Sequence, residues 1–214
     1  MRGMGGECAV TLTDRRRGMM GQSSGFVLPR DFQPVEWISN QNSAVYFDTG
    51  YSVQMTDTIE IVSGRSANKS DQAIIQSNQV SIYQGSPSYE NKFGVSVKGR
   101  SYIVALNPYV PEIGEFCDFI IDLKSGQFSI DRTQKTFSFG SATTTSNLFI
   151  FSPGSYFGYI QMRSLKVYDG NDSLIVNAIA GYQKSTNEIL FYDTVSKTYL
   201  HALGTGTLTK GADI

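Results

Sequence analysis

VYFDTG, residues 45–50, lies within VEWISNQNSAVYFDTGYSVQ (residues 35–54), and its reading decides what kind of protein this is. The alternating run Val45, Tyr46, Phe47 ends in a lone acid, a hydroxyl and a glycine. Such an ending is either the rim of a binding or catalytic site or the place where a strand turns a corner. The alternation itself points to a half-buried strand, because successive side chains of extended backbone face opposite sides.

The same pattern continues outward from this stretch. TIEIVSG, QAIIQS, QVSIYQ, KFGVSV, SYIVAL, FIIDL, QFSID, TFSFG, NLFIFS, IQMRSLKVYD, SLIVNAIAGY, ILFYD and TYLHAL all read as strands, and VEWIS as the first of the series from residue 35. They recur at about 8 to 12 residues and are separated by turn residues, which is the rhythm of a sandwich or barrel. The chain has 21 Gly, 13 Phe and 12 Tyr in 214 residues, a composition that suits pleated strands and tight turns better than helix interiors. No window sustains a 3.6-residue apolar period over three turns, so at most one or two short helical turns are expected. The expected fold is all-β, an antiparallel two-sheet sandwich with a single core and no internal repeat.

Three connections can be typed. In FIIDLKSGQFSID (119–131), residues 123–126 carry turn chemistry between two alternating runs. In KVYDGNDSLIV (166–176), the Asp169-Gly170 pair is placed to supply the positive φ of a tight hairpin. ILFYDTVSKTYLHAL (189–203) reads as a third hairpin, with TYLHAL as one strand.

Residues 1–30 differ from the rest. They hold five Arg against Glu7 and Asp14, a net +3, which leaves −4 for residues 31–214 out of a total of −1. CAVTLTD is a short possible strand, followed by Arg15, Arg16 and Arg17 and by a Gly-, Ser- and Met-rich stretch containing Met19 and Met20. The segment is too short and too poor in apolar residues for its own core. It is therefore expected to be an attachment arm, with the sandwich over 31–214. The overall charge gives no case for nucleic acid or an anionic membrane. No signal peptide and no run of about 18 apolar residues is visible, so a protein made in the cytoplasm without membrane insertion is expected. Cys8 and Cys117 fall in differently composed regions and are expected to be free thiols.

Candidate chemistry is sparse. Gly21-Gln22-Ser23-Ser24-Gly25 has the letters of a serine-hydrolase elbow but lacks the flanking strand and helix that give the motif meaning. His201 is the single histidine and reads as an ordinary strand residue, too isolated for a zinc site or a triad. Glu112, Glu115 and Asp118 are the nearest thing to an acid pair. Their intervals of three, with Pro111 and Gly114 between, make a loop rather than one catalytic face, so no enzymatic activity and no catalytic residue is expected. Asp169 to Asp172 starts like a calcium loop, but Ala180 stands where the bidentate acid should be. Asp48 reads as a cap for its own turn, with one calcium ligand as the weaker reading; no other metal and no cofactor is indicated. Tyr89, Tyr109 and Tyr156 sit among Gly, Pro and Ser in loops and are the candidate platform for stacking a sugar ring.

Two stretches together resemble a known family. PVEWISNQNSAVYFDTGY (34–51) and RSLKVYDGNDSLIVNAIAGYQKSTNEILFYDTVSKTYLHALGTGTLTKG (163–211) are similar to the opening and closing motifs of concanavalin A-like, laminin-G-like jelly-roll modules. Such modules recur in phage and prophage virion proteins and in gut bacteria. The resemblance spans about residues 35–210 and implies that the first and last strands pair. It also implies structural roles for Asp48, Gly50, Asp193, Thr194, Tyr199, Gly204 and Gly206. Phe47 departs from the more usual Ile, and Ala180-Gly181 from a common Pro-Cys. The function implied is a non-enzymatic virion component, a tail, fibre or decoration protein, that binds other virion proteins and sister chains, a trimer where it sits on a fibre. Cell-surface glycan is the implied ligand. A bacterial carbohydrate-binding module is the alternative, and a jelly-roll glycoside hydrolase or lyase the second alternative.

Overall fold

The computed structural model describes residues 27–41, 44–67, 72–84, 92–97, 100–105, 112–131, 133–136, 146–153 and 158–214. Among them every regular element is a strand. In chain order these are β1 (Phe32–Pro34), β2 (Ile38–Asn40), β3 (Tyr46–Ser52), β4 (Thr58–Arg65), β5 (Gln72–Gln76), β6 (Val80–Gln84), β7 (Lys92–Val97), β8 (Arg100–Ala105) and β9 (Phe116–Asp122). There follow β10 (Gln127–Ile130), β11 (Thr133–Thr136), β12 (Asn147–Ile150), β13 (Ile160–Tyr168), β14 (Leu174–Gln183), β15 (Glu188–Asp193), β16 (Thr198–Leu200), β17 (Ala202–Leu203) and β18 (Leu208–Lys210).

The strands form two antiparallel sheets. The larger runs β11-β10-β9-β4-β13-β14-β15-β16, with β1 beside β14 and the β2–β18 pair beside β13. The smaller runs β17-β3-β12-β5-β6-β7-β8. Alternation drives this arrangement. In β9, Cys117, Phe119 and Ile121 are buried while Asp118 between them is exposed. In β13, Leu165 and Val167 face inward. The inner faces meet in one core of aliphatic and aromatic side chains, the largest favourable contribution to folding at roughly 25 cal/mol per Å² of apolar surface removed from water.

Two edge-to-face aromatic pairs cross from sheet to sheet. Phe47 of β3 meets Phe191 of β15 with centroids 4.9 Å apart, and Phe93 of β7 meets Phe119 of β9 at 4.9 Å. A smaller cluster of Phe32, Leu190 and Tyr192, with Leu28, Ile179 and Tyr199 packed against it, lies on the opposite side of the large sheet.

The ends close as the resemblance implies: β18 pairs with β2 through Leu208↔Asn40, Thr209↔Ser39 and Lys210↔Ile38, and Val35 bridges Asp213. Several finer expectations are corrected. The first strand starts at Phe32 rather than 35, and VEWIS is a bridge at Val35 followed by a strand at Ile38–Asn40, because the chain bends at Glu36. TYLHAL is not one strand. It leaves β15 after Leu200 and joins β3 at Ala202↔Phe47, so His201 stands at the crossing between sheets. The segment TFSFG is described only at Thr136, the last residue of β11. The 123–126 turn between β9 and β10 and the 194–197 turn between β15 and β16 are as expected. Arg15, Arg16, Arg17, Met19, Met20 and Cys8 of the attachment segment lie outside the described residues.

Phe47 is fully buried and touches both Phe151 of its own sheet side and Phe191 opposite. Phe47→Ala is expected to lower unfolding free energy by about 3–5 kcal/mol, measured by urea denaturation.

Candidate functional site

The DTG corner is a bulge in β3. Phe149↔Asp48 and Asn147↔Ser52 are successive pairs with β12, so β3 carries extra residues between them. The backbone groups this leaves over are met locally. Asp48 Oδ1 accepts the Gly50 N–H at 2.8 Å, and Asn147 Nδ2 donates to both Asp48 oxygens at 3.1 Å. Thr49 Oγ1 donates to Leu148 O at 2.8 Å, and Gly50 takes the left-handed conformation (φ 69°) that a side chain would resist. With both oxygens of Asp48 already taking N–H donors, the corner shapes backbone rather than presenting lone pairs. Among the described residues no group of three or more His, Cys, Asp or Glu is placed to hold a metal ion.

The other turn acids behave alike. Asp169 Oδ1 accepts the N–H groups of Asn171 and Ser173, both at 2.9 Å, and these bonds hold its carboxyl below the usual range. The positive φ of this hairpin falls on Asp172 (61°), not on Asp169-Gly170 as expected, because the loop is one capped by the Asp169 side chain. Asp193 is buried and accepts from Asn177 N–H at 2.9 Å, Val195 N–H at 3.1 Å, and the hydroxyl of Ser196 at 2.6 Å. Asp31 accepts from Ser185 and Gln183, which holds its carboxyl low and ties the lead-in to β1 onto the β14–β15 turn.

The acids once nearest to a catalytic pair form a turn of their own, in which Glu115 Oε2 accepts the Glu112 N–H at 2.9 Å and Gly114 has φ 87°. Asp57 is fully buried. Its Oδ2 accepts from Tyr51 OH at 2.9 Å and Gln54 N–H at 2.7 Å, while Oδ1 has no partner among the described residues. Burial pushes its carboxyl up, and burial together with Asp57 pushes the Tyr51 phenol up. His201 Nδ1 lies 2.8 Å from Glu188 Oε1 on the exposed surface. Cys117 is a free, buried thiol, and burial raises its pKa out of the reactive range. Tyr89, Tyr109 and Tyr156 lie outside the described residues.

A further group was not legible by spacing. It lies on the face of the large sheet turned away from the core. Ser39 is the direct partner of Gln161 on one side and Thr209 on the other, so their side chains form one row across β13, β2 and β18. Ser39 Oγ, Gln161 Oε1 and Thr209 Oγ1 are buried without hydrogen-bond partners among the described residues. Beside the row stands Trp37, the single tryptophan, half-buried and a member of neither hydrophobic cluster. A Cβ on Gly211 would come within 2.8 Å of both Trp37 Nε1 and Glu36 Cβ, so indole and glutamate flank that bare backbone. Arg163 stands two residues beyond Gln161 in β13, where the register shifts against β4, and Trp37 two residues before Ser39. The exposed Arg163 guanidinium stacks 3.7 Å from the centroid of the Phe116 ring. Between their strands lies Gly64, the partner of both Phe116 and Gln161. The one sequence signal for this strip was the lone Trp in the first strand pair.

No protein-family profile and no curated protein matches the chain. Among solved structures it is similar to a protein from Bacteroides ovatus ATCC 8483, provisionally described as a carbohydrate binding protein, at a TM-score of 0.53 and 12% sequence identity. The match covers 85% of this chain, which spans 62% of the length of that protein. At this identity the likeness is one of fold, an all-β two-sheet sandwich.

Removing a turn acid should cost stability in proportion to the donors it leaves behind. Asp193→Ala, which strands several buried donors, is expected to cost about 2–3 kcal/mol; Asp48→Ala, at a more open corner, about 1 kcal/mol. Thermal melts of the two variants give the ranking. Asp31 and Asp169 have folded pKa values below the ordinary 3.8, so their contribution is present above that value and is lost as pH falls through the lower folded values. Asp57 is shifted upward and acts in the opposite sense, softening the first part of the decline. Melting temperature should therefore drop as the pH is taken below about 4, with a shallower drop in Asp169→Asn.

Proposed function

We propose that the protein is a non-catalytic carbohydrate-binding sandwich. The observation that carries this reading is a half-exposed indole and, on the same face of the large sheet, an exposed guanidinium with no acidic partner among the described residues. That combination of a flat apolar ring and convergent polar groups suits a sugar, whose ring has an apolar face and a hydroxyl rim. Lectin-like sandwich architecture and the description attached to the Bacteroides ovatus structure support the same class. The absence of catalysis is supported by the turn acids Asp48, Asp169 and Asp193, whose oxygens are taken up by backbone and side-chain donors, and by Glu115, which closes its own turn.

Display on a phage particle, with residues 1–30 as attachment and sister chains as neighbours, is the setting that the sequence resemblance favours. Host-surface glycan would then be the target.

The test is a glycan and polysaccharide array probed with the full chain, followed by incubation of any ligand with micromolar protein. Saturable binding to a saccharide with no release of new reducing ends is expected. A uniformly flat array would overturn the binding reading, and release of reducing ends that disappears in Glu112→Gln or Glu115→Gln would replace it with a hydrolase.

A further inference from the structure

The carbohydrate-binding reading leaves the place and the chemistry of recognition open. We infer that the site is the outer-face strip of Trp37, Arg163 and Phe116, and that it takes an uncharged, hydroxyl-rich pyranose; this rests on the function proposed above.

Three features of the strip point to a ligand rather than to packing. First, Trp37 lies in contact with the Gly211 backbone, yet it packs into neither hydrophobic cluster, and its Nε1–H has no partner among the described residues. A large aromatic surface left half in water just before β2 is a flat platform, and the absent side chain at Gly211 is what lets the indole settle there. Second, Arg163 has no acidic partner among the described residues. Its guanidinium is held by stacking on Phe116 across the bare Gly64, where a Cβ would meet Glu115 O at 2.4 Å. Stacking fixes the plane of the guanidinium and leaves its N–H donors at the rim, ready for hydroxyl oxygens. Third, Ser39 is fully buried and Gln161 is 8% exposed, yet Ser39 Oγ and Gln161 Oε1, with Thr209 Oγ1 in the same row, have no partner. Buried polar atoms without partners are uncommon. This row lies two residues along the same face from Trp37 and Arg163 and forms the sheet beside them.

Charge decides between sugar classes. Arg163 is one cation, and Glu36 beside Trp37 is one anion. A carboxylate-bearing sugar would bring a second negative charge against a single positive one. A neutral sugar meets no such repulsion: it accepts from the Arg163 donors and donates to Glu36, while its apolar face covers the indole.

The single tryptophan makes the experiment direct, because all indole emission of the full-length protein reports on the strip. Neutral hexose oligosaccharides and uronate oligosaccharides are titrated in parallel, followed by calorimetry and by tryptophan fluorescence. A neutral oligosaccharide is expected to bind and to change the emission with the same Kd by both methods. Arg163→Ala, at an exposed position that threatens folding least, should weaken binding at least tenfold without moving the melting temperature, and Trp37→Ala should weaken it further, with partial retention in Trp37→Phe. Binding that leaves the emission unchanged, survives both alanine variants and is lost in Tyr89→Ala, Tyr109→Ala or Tyr156→Ala would overturn the strip as the site while leaving the carbohydrate-binding function in place. Binding of uronates alone would overturn the assignment to a neutral sugar. Failure of every saccharide would remove the function and the site together.

Discussion

The side-chain alternation of β3 at Phe47 and Asp48 is the constraint on which the rest of the molecule depends. Phe47 points inward and meets Phe191 of the opposite sheet; Asp48, one residue later, points to the corner and takes up the Gly50 N–H. Because the period of a strand is two, a slip of one residue would put the acid in the core and the ring in water. The bulge that follows lets the strand turn without that slip. It also sets β3 between β17 and β12, so the last part of the chain is held by the same strand that the front of the chain supplies.

Acidic side chains do comparable work at four separate turns. Asp31, Asp48, Asp169 and Asp193 each collect N–H donors that the local backbone leaves without a ladder partner, which is how a sandwich with many short connections avoids stranded polar groups. Asp57 shows the cost of the arrangement when it is carried into the interior. One oxygen is matched by Tyr51 and Gln54 and the other has no partner among the described residues, and burial pushes the carboxyl pKa up despite those bonds. Acids engaged in this way are poor candidates for proton transfer, since moving or protonating them would release the turn they hold.

The recognition strip proposed above, by contrast, lies on the sheet. Trp37, Arg163 and the Ser39–Gln161–Thr209 row belong to strands or to the residues that lead directly into them, where the ladder limits their motion. Gly64 and Gly211 contribute by what they lack: beside the first an arginine reaches an aromatic ring, and against the second an indole finds room. A site of this type is preorganised, so little ordering cost is left for a weakly binding ligand to overcome.

Local pattern was enough to specify the all-β class, the sandwich, most strands, the turns at 123–126 and 194–197 and the capping role of the DTG acid, because each depends on residues within a few positions of one another. Two expectations fail for different reasons. TYLHAL was read as a single strand since alternation continues through His201, and nothing nearby says that its two halves hydrogen-bond to different sheets. The turn at Asp169 was assigned its positive φ by the Asp-Gly letters, whereas the side chain of Asp169 moved it to Asp172. What only the tertiary structure decided was the assembly of Trp37, Phe116 and Arg163, residues scattered over 126 positions of the chain, into one strip. Register between strands distant in sequence is set by the packing of the common core, and no local rule carries that information.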